Sequence, residues 1–271
     1  MKQFQVVINH HKVAYYESQK DGFPVIFIHG NSLSSVIFIR QLIDSAFSGQ
    51  FRFIALDLPG YGDSDWSESP ETDYTIKAQA GILKDFCQKL GIHSAIFVGH
   101  NFGGNILLEA LEGLPSAKAI ALASCVPLTN PLTPGMFLSH PAVPLLSKPG
   151  IDDSEIHQIA ASFVEPEIRY PDFIPEIMRK SDIKTREVFF KALNEGEFND
   201  QYNILKHLNI PVSFFIGEKD QLIDPTHIKN IAIPELWHQN IQIIKDAGHL
   251  CFYENPADFN TILKGFLNEI V

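Results

Sequence analysis

Gly99-His100-Asn101-Phe102-Gly103-Gly104 stands between a strand pattern and a helix pattern. Ahead of it, 95–98 is a short apolar run of the kind that forms a fully buried strand; behind it, 102–113 reads as a helix. The flanking glycines let strand and helix approach closely, and the tight turn pushes one side chain, that of residue 101, out at its tip. This unit is the middle of a longer alternation. Upstream, 4–8 and 12–17 read as a hairpin-like pair of strands, 25–28 as a buried strand, and 52–56 as another. Ile37, Phe38, Gln41 and Leu42 open a helical stretch, and Ile76, Ala80, Leu83, Phe86, Cys87 and Leu90 mark one apolar face of a helix over 75–90. Downstream come strands at 118–123, 211–216 and 240–244 and a helix from about 256 to 269. Strands alternating with helices predict an α/β fold: a mostly parallel, eight-stranded sheet flanked by helices. Ligands of such sheets bind at the carboxyl ends of the strands, and each motif with chemical content here follows a strand.

The alternation breaks between 127 and 207. Six prolines fall between Pro127 and Pro149, and amphipathic helical patterns follow at about 153–164, 172–181 and 184–195. An insertion leaving from a strand's carboxyl end starts beside the site, so this stretch reads as a helical cap over it, with 1–126 and 208–271 as the core.

Composition narrows the partners. The 271 residues carry a formal charge of −11 with no basic cluster, which argues against nucleic acid or an anionic membrane. The apolar runs are too short to span a bilayer, and the first residues do not read as a signal peptide. Three scattered cysteines, Cys87, Cys125 and Cys251, fit a reducing compartment, so a cytoplasmic protein is expected.

Two further strand ends carry titratable groups. Phe214-Phe215-Ile216-Gly217-Glu218-Lys219-Asp220 ends on acids, and Asp246-Ala247-Gly248-His249 ends on an imidazole. The order is apex residue 101, acid 220, base 249, which is the nucleophile…acid…histidine order of one class of catalytic triad. Asp224 and Glu218 are rivals to Asp220 on the same loop. His29-Gly30-Asn31-Ser32 follows the strand at 25–28.

His29-Gly30-Asn31, Asp57-Leu58-Pro59-Gly60-Tyr61-Gly62, the Gly99–Gly104 turn and Asp246-Ala247-Gly248-His249 occur in that order, and with them the chain resembles the α/β-hydrolase superfamily over nearly its whole length. Within it, Ile37-Phe38 and Gln41-Leu42 behind the first loop, Leu236-Trp237, and Glu254, Pro256, Ala257 and Phe259 after the histidine are similar to the acyl-homoserine lactone lactonases of this type. The resemblance implies the α/β-hydrolase fold with a helical cap after the sixth strand. It also implies an ester or acyl-lactone substrate, no cofactor and no metal, with residue 101, Asp220 and His249 as triad and Asn31 and Phe102 as oxyanion hole. Asn31, His100, Met136 and Phe137 are candidates for contacting the substrate.

Asn101 departs from that pattern, because its amide is a poor nucleophile with no dissociable proton near neutral pH. Three readings stay open. The chain is a serine hydrolase whose nucleophile has been replaced; or Asn is native to a small-molecule binder, or to a catalyst using His249 and Asp220 without a covalent step; or Asn replaces the Asp nucleophile of a dehalogenase or epoxide hydrolase. Phe102 argues against the third, since those families often carry Trp there. Elsewhere, His29 reads as a loop support, His100 as packing beside the turn, His10-His11 as a solvated turn and Cys125 as packing. No clustered histidine motif for zinc occurs.

Overall fold

The computed structural model describes residues 1–133, 138–148 and 150–271. Eight strands form one sheet: β1 (Lys2–Ile8), β2 (His11–Glu17), β3 (Phe23–Ile28), β4 (Phe51–Leu56), β5 (Ala95–His100), β6 (Ala117–Ala123), β7 (Val212–Gly217) and β8 (Gln242–Ile244). Their spatial order is β1-β2-β4-β3-β5-β6-β7-β8. β1 pairs with β2 and β2 with β4 antiparallel; every other pairing is parallel. Parallel neighbours need a crossover, and the helices supply it. Both faces of the central strands are thereby covered. That is why Val25–Ile28 and all of β5 are buried and read as unbroken apolar runs rather than alternating ones.

The helix Ile76–Lys89 starts at Thr75, whose side chain accepts the Ala78 N–H, and buries Ile76, Ala80, Leu83, Phe86 and Cys87 as its spacing requires. Register then places the site. Ile28 pairs with both Leu56 and Gly99, His100 with Ala123, and Gly217 with Ile244, so the strands finish along one rim. The loops after β3, β5, β7 and β8 all leave from that rim.

Between β6 and β7 the helices Asp153–Ser162, Phe173–Lys180 and Ile183–Glu195 lie where the sequence places cap helices. The first carries a reciprocal capping box between Asp152 and Glu155. Two further helices, Val143–Leu146 and Gln201–Lys206, are too short to register as periodicity. The second falls inside the 127–207 stretch expected to be cap, yet it is tied to the core. The Gln201 side-chain carbonyl accepts a hydrogen bond from the Asn105 amide (2.8 Å), and Glu109 accepts the Asn199 N–H (2.9 Å).

Candidate active site

Asn101 sits at φ 48° and ψ −119°, outside the left-handed helical well and costly even for asparagine. The turn is forced by its surroundings. A Cβ at Gly103 would collide with the Ile28 carbonyl, so only glycine lets the following helix pack this close to β3. The strained turn lifts the Asn101 side chain above the strand ends. Its carbonyl oxygen accepts the Phe102 N–H at 2.7 Å, and its amide nitrogen lies 3.1 Å from His249 Nε2.

His249 arrives from the opposite end of the sheet, on the loop after β8. That loop crosses the end of β7 because Gly217 has no Cβ to strike the Gly248 carbonyl. His249 Nδ1 lies 3.0 and 3.1 Å from the two carboxylate oxygens of Asp220. One tautomer satisfies every contact: Nδ1–H donates to Asp220, and Nε2 accepts from the Asn101 amide. The Leu222 and Ile223 N–H groups donate to Asp220 at 2.9 and 3.2 Å and hold the carboxylate in place. Both His249 and Asp220 are closed to solvent.

The rival acids point elsewhere. Asp224 caps the helix Pro225–Lys229 by accepting the Thr226 N–H, a hydrogen bond that holds its carboxyl below the usual range. Glu218 lies at the Asp246 N–H, 3.4 Å away. The imidazole is braced on its other sides by the stacked Phe163 ring and by His100, which meets it edge-on. Glu254 accepts the N–H groups of both Gly248 and Glu165, tying the histidine loop to the cap; burial pushes its carboxyl up.

The loop after β3 is held equally firmly. His29 Nε2 accepts the Leu58 N–H at 3.1 Å while Nδ1–H donates to the Gly30 carbonyl at 2.8 Å; burial lowers its pKa to about 4, so it stays neutral. Tyr61 donates to the Asn31 side-chain oxygen at 3.1 Å. Among the described residues, the Asn31 backbone N–H has no hydrogen-bond partner.

A cavity opens at these residues. Asn31, Asn101 and Asn105 supply its polar surface. Val126 and Leu128 line it from the segment after β6, and Phe163, Phe189, Phe190 and Leu193 from the helices that follow. Such a site, largely apolar with a few convergent polar groups, suits an acyl chain ending in a polar carbonyl head.

The structure thus brings together Asn101, Asp220, His249, Asn31 and Phe102. His100, expected to touch substrate, does not line the cavity. Its ring is buried behind the triad, where Nε2–H donates to the His249 carbonyl at 3.3 Å; burial holds the ring well below the usual imidazole range. The reason is the strand's two-residue period, which turns residue 100 away from the direction that the next residue takes. Met136 and Phe137 lie outside the described residues. Sequence reasoning missed Asn105 and Val126, which carry no motif, and Arg186, whose Nε donates to Ser32 Oγ at 2.7 Å. Cys125 is buried and its thiol pushed up, as a packing residue would be.

Among the described residues, one group has ligand atoms close enough to hold a metal ion: His10, His11 and Asp73, none of which lines the cavity. Both imidazoles and Ser67 already hydrogen-bond the same Asp73 oxygen.

Comparison with known proteins agrees with this fold. A family model for the alpha/beta hydrolase fold matches residues 24–148. The AB hydrolase superfamily protein YisY of Bacillus subtilis is 26% identical, over 95% of this chain and 96% of its own length. The rat bifunctional epoxide hydrolase 2 is 24% identical, and the match spans only 54% of that protein. Among solved structures, a mutant of the N-acyl homoserine lactonase AidH complexed with N-hexanoyl homoserine lactone superposes with a TM-score of 0.95 at 25% identity, covering 100% of this chain and 99% of that one. The same lactonase complexed with N-butanoyl homoserine gives 0.94, covering 98% of that chain.

Proposed function

We propose that this chain, an α/β-hydrolase with the fold of the acyl-homoserine lactonases, binds acyl-lactone or related ester substrates in the cavity beside Asn101. Its chemical step runs only at the residual level left to a triad without its nucleophile. The observation that carries this reading is the hydrogen-bonded line from Asn101 through His249 to Asp220. Its support from relatives is the full-length similarity to a lactonase solved with an acyl lactone bound.

Each residue has a role in this reading. A substrate carbonyl seated at Asn31 and Phe102 would point its oxygen at their backbone N–H groups, and the acyl tail would lie against Phe189, Phe190 and Leu193. With a hydroxyl at position 101, His249 Nε2 would accept its proton as it attacked and return it to the leaving oxygen. Asp220 would hold the tautomer and stabilise the imidazolium. With an amide there, no covalent intermediate forms. The Phe102 N–H is also engaged by the Asn101 carbonyl, so half of the oxyanion site is occupied before substrate arrives.

Asn101→Ser tests the reading. Hydrolysis of N-acyl homoserine lactones or short p-nitrophenyl esters should rise by roughly 10⁴-fold or more over the parent chain. A folded serine variant that hydrolyses neither, or an Asn101→Asp variant that acts on haloalkanes or epoxides instead, would overturn it.

A further inference from the structure

The Asn101 side chain is held as a reacting acyl group would be. Its carbonyl oxygen takes a backbone N–H at the helix start, and its amide nitrogen faces the imidazole of an assembled His–Asp pair. The residue lines the cavity, so water reaching that space meets the amide. We propose that Asn101 is itself a substrate of this site: His249 and Asp220 hydrolyse its side-chain amide with water, leaving an aspartate at position 101.

The step balances without any oxidant or reductant. The Asn101 amide first releases its hydrogen bond to His249 Nε2, and Nε2 then removes a proton from a water entering from the cavity while the water oxygen bonds to the Asn101 side-chain carbonyl carbon. The developing oxyanion stays on the Phe102 N–H. The imidazolium then passes its proton to Nδ2, 3.1 Å away, as the C–N bond breaks. Ammonia leaves and is protonated in solution, and the new carboxyl ionises.

The usual competing route is attack by the following backbone nitrogen on the same carbon. It is opposed here, because the Phe102 N–H is spent on the Asn101 oxygen and opens the helix Phe102–Ala110. The enzymatic route therefore gives only the ordinary α-linked aspartate, whereas the backbone route gives isoaspartate as well.

The test is peptide mass analysis of the folded chain incubated at neutral pH, with exposed asparagines such as Asn240 as internal references and the same chain in denaturant as control. The residue-101 peptide should become one dalton heavier and α-linked, faster than the references and only in the folded chain. Conversion should be lost in His249→Gln. If that variant does not fold, the denaturant comparison carries the test alone. Isoaspartate at 101, an equal rate in denaturant, or an unchanged residue-101 peptide while the references convert would each overturn the proposal. It stands apart from the lactone reading: Asn101→Ser removes the amide but tests ester turnover, so either can fail without the other.

Discussion

Arg186 reaches out of the cap helix Ile183–Glu195 to hydrogen-bond Ser32 in the loop after β3, 2.7 Å from Nε to Oγ. Arg186 is only 4% exposed and makes no ion pair among the described residues; burial lowers its pKa. Ser32 itself sits at φ 62°, next to Asn31, which lines the cavity. A buried cation without a counter-charge costs stability, so its value lies in what it positions.

Arg186→Met should therefore leave the melting temperature unchanged or raise it. On the Asn101→Ser background it should cut kcat on acyl lactones by roughly 10-fold, part of the value of one oxyanion donor. Thermal unfolding beside steady-state kinetics checks both halves, and an unchanged kcat would show that the loop needs no such tether.

Asp220 and Asp224 share one loop but not one role. On the Asn101→Ser background, Asp220→Asn should lower turnover by roughly 10⁴-fold through the wrong imidazole tautomer. Asp224→Asn should change it little, since asparagine caps a helix as well as aspartate does. Equal losses in the two variants would contradict the 3.0 Å contact between Asp220 and His249.

Acyl-chain length should be read by the apolar walls. Each added methylene buried in the cavity contributes about 0.8 kcal/mol, so affinity should rise about fourfold per carbon until the space is full. Leu193→Phe removes part of that space, and the plateau should come at a shorter chain. Titration calorimetry with a lactone series on the parent chain measures it, and a length-independent affinity would mean the chain lies elsewhere.

Stability should fall in mild acid. His29 binds no proton in the folded chain until about pH 4, whereas in the unfolded chain it does so near its usual 6.5. Between these values the unfolded state holds more protons, so folding weakens as pH drops. From pH 7 to pH 5 the loss from His29 alone is about 2 kcal/mol, and His100, also lowered by burial, adds to it. Urea midpoints at the two pH values check this. The His29→Gln variant, less stable at pH 7, should lose less on acidification.

How much of this was legible beforehand differs from residue to residue. The eight strands follow from apolar runs bounded by turn residues. Even β8, three residues long, was visible because Asp246-Ala247-Gly248-His249 marks its end. His100 was misplaced because a motif names neighbours in the chain, while the pleat sends neighbouring side chains opposite ways. Among the described cavity residues, Phe163, Phe189 and Phe190 were visible only as apolar cap positions. Whether such a residue fills a core or lines a space depends on what faces it.

Spacing and residue type alone determined the α/β alternation, the run of helices between β6 and β7, and the candidacy of residues 101, 220 and 249. Those features are local: a periodicity, a turn, an order along one chain. The tertiary structure decided which acid meets His249, which direction His100 takes, that the Asn101 amide bridges the imidazole and the Phe102 N–H, and that Arg186 ties the cap to Ser32. Each of these depends on side chains from different loops meeting within hydrogen-bond distance. Sheet register and close packing set that distance, and separation along the chain carries no record of it.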